Sequence, residues 1–190
     1  MYPSPGEVQK YIEMVRPIWS SRERKILSAI SGIVRLEWME KEIKCYVVGS
    51  CVPFSDPLTM TVYKDKERFI DTLTHELIHQ IEVQNADEPG YRTYRKFLAD
   101  RYNGEPQITM NHILLFAVYM QLYSDLYGAR GLARARKEFS GLNNPPYMRA
   151  WQVVRKEGYG NVIKDFLRVT SQHAAPSGAA ERKKARQSAS

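Results

Sequence analysis

Apolar positions change period several times along the chain, and each change predicts a change of element. Val8, Tyr11, Ile12, Val15 and Trp19 recur at the spacing of one helix face after Pro5-Gly6. A helix is expected over 7–19, ended or bent by Pro17, with a second over 22–30. At Ile33 the period shortens to two. Val34, Leu36 and Trp38 alternate with Ile33, Arg35 and Glu37, and Ile43, Cys45 and Val47 alternate with Lys44 and Tyr46. That pattern predicts a β-hairpin turning near 39–41. After a Pro-containing loop over 49–57, Leu58, Met60 and Val62 alternate with Thr59, Thr61 and Tyr63, a third strand over 58–63.

The helical period returns after Asp65, a natural N-cap, and runs to about Asn85. Phe69, Leu73, Leu77 and Ile81 form its apolar stripe. Asp87-Glu88-Pro89-Gly90 breaks it, and further helices are expected over 91–101, from a Thr109 cap to Gly128, over 130–139, after Pro145-Pro146 and over 161–170. The fold class is therefore α+β: a small sheet of three or slightly more strands, one long helix against it, and a helical C-terminal half. Residues 1–171 read as a single domain. From Gln172 the chain turns to Ala, Ser, Gly, Lys and Arg, so 172–190 is expected to be a disordered basic tail.

Composition narrows the class further. Of 190 residues, 43% are hydrophobic and 11% aromatic, enough for a buried core and too many for a wholly disordered chain. The net charge is +7, but the last ten residues supply +3 of it, which leaves a body only mildly basic. Arg130, Arg134, Arg136 and Lys137, with Arg149, Arg155 and Lys156, read either as phosphate contacts for a nucleic acid or as a solvated helix face. Two cysteines, Cys45 and Cys51, are too few for a disulfide scaffold. The longest apolar run, over 113–120, is far shorter than the ~20 residues that span a bilayer, and the N-terminus lacks the basic and apolar regions of a secretory signal. A soluble, cytoplasmic protein without a membrane partner is expected.

The chemistry-bearing segment is His75-Glu76-Leu77-Ile78-His79, inside the long helix. Histidines at i and i+4 lie one turn apart, so both imidazoles can point at one metal ion. Zinc accepts neutral imidazole nitrogen and leaves an open position for water. Glu76 sits ~100° around the helix from His75, beside the ion, where it can take a proton from that water and pass it to a leaving amine. Chance produces such a string in roughly one chain in two hundred. Here it follows a strand, lies mid-helix and projects opposite the apolar stripe, as a metal site requires.

Strands followed by a helix bearing this motif resemble the zincin metallopeptidases, and the compact chain looks most like their small single-domain members, SprT-like proteins included. The resemblance covers about 25–125 and implies a zinc-dependent peptidase acting on polypeptides, with His75 and His79 as ligands and Glu76 as general base. It also implies that 58–63 is the edge strand along which an extended substrate pairs. The alternatives are a catalytically idle zinc-binding scaffold and a nucleic-acid-associated protein, including a SprT-like DNA-associated protease.

A third ligand is required, and the Gly and His that follow the motif in one zincin branch are absent. So is the His that the SprT-like pattern places before Tyr91. His173 lies in the tail, which leaves His112, in the first turn of the next strongly apolar helix. The alternatives are a carboxylate of Glu88, Asp100, Glu105 or Asp125 as the third ligand, with His112 then a helix-start histidine bonded to backbone. On the same helix Tyr119 and Tyr123 share a face with His112; each reads either as core or as a donor to the developing oxyanion. Asp71, one turn before His75, reads either as a partner for its second ring nitrogen or as a solvated surface residue.

Overall fold

The computed structural model describes residues 2–172. The expected tail, His173 included, lies outside the described residues apart from Gln172. The order of elements is α1 (Pro5–Ser20), α2 (Glu23–Val34), β1 (Tyr46–Val48), β2 (Phe54–Ser55), β3 (Leu58–Thr61), α3 (Lys66–Gln84), α4 (Pro89–Arg101), α5 (Gln107–Ser140), α6 (Pro145–Glu157) and α7 (Tyr159–Ser171). The class is α+β, mostly helical with one three-stranded sheet, as expected. No helix among the described residues is long and apolar enough to cross a membrane.

Helix starts follow local chemistry. Ser4 and Glu7 form a reciprocal capping box at α1, which continues through Pro17 to Ser20. Asp65 caps α3 by accepting from the Glu67 amide at 2.9 Å, as expected. Thr109 is not a cap: α5 already begins at Gln107, and the buried Thr109 hydroxyl donates to the Pro146 carbonyl at 3.2 Å.

The hairpin over 33–47 does not form. Ile33 and Val34 extend α2, because Ile26, Ile30 and Val34 continue one buried stripe, and Arg35 ends the helix in the left-handed region. The chain beyond it is held by side chains instead of by a strand ladder. The Trp38 indole donates to Leu27 O at 3.1 Å, the Met39 amide to Gln84 Oε1 at 2.9 Å, and the Asn85 amide group to Glu37 O at 2.9 Å. Only Tyr46–Val48 becomes a strand, parallel to β3.

Sheet order is β1-β3-β2, so β3 is central, not the expected edge. The two-residue β2, missed in the sequence, covers its other side in antiparallel register. The free edge on that side therefore belongs to β2.

The stripe Phe69, Leu73, Leu77 and Ile81 is buried as expected. The centre of the molecule is α5, whose residues Ile113 to Met120 are each at most 1% exposed. That run is apolar on every side because α5 packs against α2, α3, α6 and α7 at once. Gly128, at φ 59° and ψ −151°, breaks the helix where the sequence placed its stop. The arm beyond folds so tightly against the first that a Cβ on Gly131 would stand 2.5 Å from Tyr123 O. This bend carries Arg134 back to α3, where it joins Asp71 at 2.9 Å and Glu67 at 3.6 Å. Arg22 meets the same Glu67 through two bonds of 2.6 and 2.8 Å.

Glu82 on α3 is buried, with the Tyr91 hydroxyl donating to one carboxylate oxygen at 2.9 Å. Burial pushes its pKa from 4.5 up to about 7, against the lowering effects of the Tyr91 bond and the Arg95 charge. The folded state then holds this proton more tightly than the unfolded chain does. The stability it contributes is greatest below pH 4.5, falls as pH rises toward 7 and levels off above. Glu82→Gln is expected to match the wild type near about pH 5 and to exceed it at about pH 8, by up to about 3 kcal/mol. Urea titrations at the two pH values check this; equal effects at both would contradict it.

Candidate metal centre

His75 and His79 stand one turn apart on α3, and α5 delivers His112, 33 residues beyond His79, to the same point. The ring centroids of His75 and His79 are 5.2 Å apart, those of His75 and His112 5.4 Å, and those of His79 and His112 4.9 Å. One ring nitrogen from each lies within 4.8 Å of the others. The Nε2 atoms of His79 and His112 are 3.4 Å apart. Two imidazole nitrogens on one ion at about 2.0–2.1 Å and a tetrahedral angle stand about 3.3 Å apart. The cluster can therefore hold a metal ion.

Local bonding selects the ligand atom of His112. Its Nδ1 lies 2.8 Å from the Ile108 carbonyl, which can only accept. The proton therefore sits on Nδ1 and the Nε2 lone pair faces the cluster. Burial disfavours the imidazolium at all three positions. It lowers His75 well below its usual value, helped by the charges of His79 and His112, and pushes His79 down to about 3. His112 is lowered by burial too, with the Ile108 bond opposing. Three neutral imidazoles are the form that coordinates a cation.

Glu76 follows His75 on α3 and is only 7% exposed, and burial pushes its carboxyl up to about 7. The aromatic wall of the site is Phe116, 5.4 Å from His112 and 6.2 Å from His75, together with Tyr147 of α6. The Tyr147 ring lies 4.1 Å from the His112 ring at 30°. Its phenol pKa is raised by burial and by the Glu76 charge. On the other flank Gln80, next to His79, donates to the Ser55 carbonyl and ties β2 to the site helix.

Several expected neighbours are elsewhere. Tyr119 and Tyr123 are not at the cluster: their rings stack 4.1 Å apart in the core, and the Tyr123 hydroxyl donates to Asp71. Asp71 is neither a partner of His75 nor a surface residue. It is 7% exposed and committed to Tyr123 and Arg134. Glu88, Asp100, Glu105 and Asp125 do not join the donor cluster; Glu105 pairs with Arg149 at 2.5 Å and Asp125 accepts from Gln121 at 2.8 Å. Within the basic run, Arg134 pairs with Asp71 and Arg149 with Glu105. Sequence reasoning missed Tyr147. Twelve tyrosines and a Pro-Pro helix start gave no signal of which ring would meet the histidines.

No protein-family model, curated protein or solved structure matches the chain. Geometry and donor chemistry therefore carry the functional conclusion.

Removing one imidazole from a three-donor cluster should collapse its affinity. His75→Ala, His79→Ala and His112→Ala are each expected to weaken divalent-metal binding at least about 100-fold, whereas Asp71→Asn leaves it near wild type. Competition with a chromophoric chelator measures this; wild-type affinity in any of the three alanine variants would remove that histidine from the ligand set.

Proposed function

We propose that the protein is a zinc-dependent metallopeptidase of the zincin type, hydrolysing peptide bonds in polypeptide substrates. The observation that carries this reading is the arrival of His112 Nε2, from a separate helix, at the His75 and His79 pair with Glu76 alongside. Three imidazole donors suit zinc, and a set of three leaves a coordination position open. When bound, the ion supplies Lewis acidity that polarises the scissile carbonyl and acidifies water.

The protein's own groups then divide the remaining work. Glu76 accepts a proton from the attacking water and delivers it to the amide nitrogen as the C–N bond breaks, so that water and peptide become carboxylic acid and amine. The packing of the Tyr147 ring on His112 supports a role for its hydroxyl as donor to the carbonyl oxygen as negative charge develops there. This role replaces the one expected of Tyr119 or Tyr123. An extended substrate finds its main-chain partners along β2, the strand tied to α3 beside His79.

The competing reading is a zinc-stabilised scaffold without catalysis. A structural zinc site is closed by a fourth protein donor, and among the described residues the cluster has three. Glu76 separates the two readings. Glu76→Gln is expected to keep its zinc and to cut hydrolysis of an unfolded protein such as casein by about 10³-fold. Tyr147→Phe is expected to lower kcat by about 10- to 100-fold with KM little changed. Peptide release assays with parallel metal analysis check both, and a Gln variant as active as the wild type would contradict the peptidase reading.

A further inference from the structure

A cavity of about 480 Å³ lies where the end of α5 meets the α6–α7 junction. Arg136, Ser140, Trp151, Arg155 and Tyr159 line it, with Met120 on an apolar wall, and no carboxylate is among its lining residues. The two guanidinium groups make no ion pair among the described residues, unlike Arg134 and Arg149. Glu157, close by in sequence, is committed to Arg101 at 2.9 Å and to the Tyr102 hydroxyl at 2.8 Å.

Trp151 is 7% exposed and contributes to the apolar part of the lining. The 13-residue α7 also begins at this cavity, with Gly158 before it at φ 84° and no side chain capping its first amides. Two unpaired guanidinium groups, the Ser140 and Tyr159 hydroxyls and an uncapped helix start form a donor-rich pocket with no carboxylate in its lining. Its natural complement is an acceptor-rich anion.

We propose that this cavity binds the phosphate group of a small phosphorylated ligand, held by Arg136 and Arg155, with any organic portion against Met120 and Trp151. Its volume falls within the ordinary range for small-molecule sites, about 300–1,000 Å³. Phosphate presents pairs of acceptor oxygens that a planar guanidinium fork can bind through two parallel hydrogen bonds. The site uses none of the residues of the histidine cluster.

The test is calorimetric titration of the full chain with inorganic phosphate and with adenosine monophosphate at low salt. Saturable binding is expected at or below about 1 mM, weakened at least about tenfold by Arg136→Gln and by Arg155→Gln. Both variants should keep the wild-type circular dichroism and melting temperature within about 2 °C. Tighter binding of adenosine monophosphate assigns an organic phosphate and equal binding assigns free phosphate; both support the site. Three results would overturn it: no saturable binding of either anion, binding that survives both arginine substitutions but vanishes when metal is chelated, or binding confined to a single-stranded oligonucleotide.

Discussion

To share one ion, three imidazole nitrogens on two helices must be held to within a fraction of an ångström, and the crossing of α3 with α5 is the constraint that shapes the rest. His75 and His79 are positioned by the pitch of one helix, which costs nothing beyond forming it. His112 is positioned only by how α5 packs. The eight residues that follow it are almost wholly excluded from water, so α5 cannot rotate or slide without exposing a large apolar surface. The Ile108 carbonyl then fixes the ring and its tautomer. Burial that makes this packing rigid also keeps the imidazoles neutral, so one physical cause supplies both geometry and ligand chemistry.

The site helix is fastened along its length by different means. Near its start, Glu67 and Asp71 take Arg22 from the α2 side and Arg134 from the far arm of α5, an arrangement that depends on the break at Gly128. Along its apolar stripe it packs into the core. Near its end, Gln84 and Asn85 hold the backbone of the segment after α2. The face bearing His75, Glu76 and His79 is left to Phe116, Tyr147 and the β2 edge. The proposed hydrolysis needs this division, because a general base works only if its carboxylate stays within hydrogen-bond reach of the reacting water.

What the sequence revealed and what it hid differ in range of interaction. The His-Glu-x-x-His pair, the Asp65 cap, the stripe from Phe69 to Ile81 and the stop at Gly128 are local and legible. His112 was reached by elimination among four histidines. The strand reading of Ile33 and Val34 failed because β-branched residues at period two also complete the buried helical stripe of Ile26 and Ile30. Nothing local says that Gln84 and Asn85 will satisfy the backbone of 37–39. Asp71, Tyr119 and Tyr123 had the right spacing to reach the cluster, yet the arm beyond Gly128 returned Arg134 to Asp71 and drew them into the core. Tyr147 and the sorting of the arginines into paired and unpaired sets depend on contacts made across the fold between distant residues.

X-ray absorption at the zinc edge of the metal-loaded full chain tests the central claim most directly. Three imidazole donors at about 2.0–2.1 Å and one further light-atom donor from solvent are the expected coordination. A fourth protein donor, a sulfur ligand, or fewer than three imidazoles would contradict the open three-histidine centre.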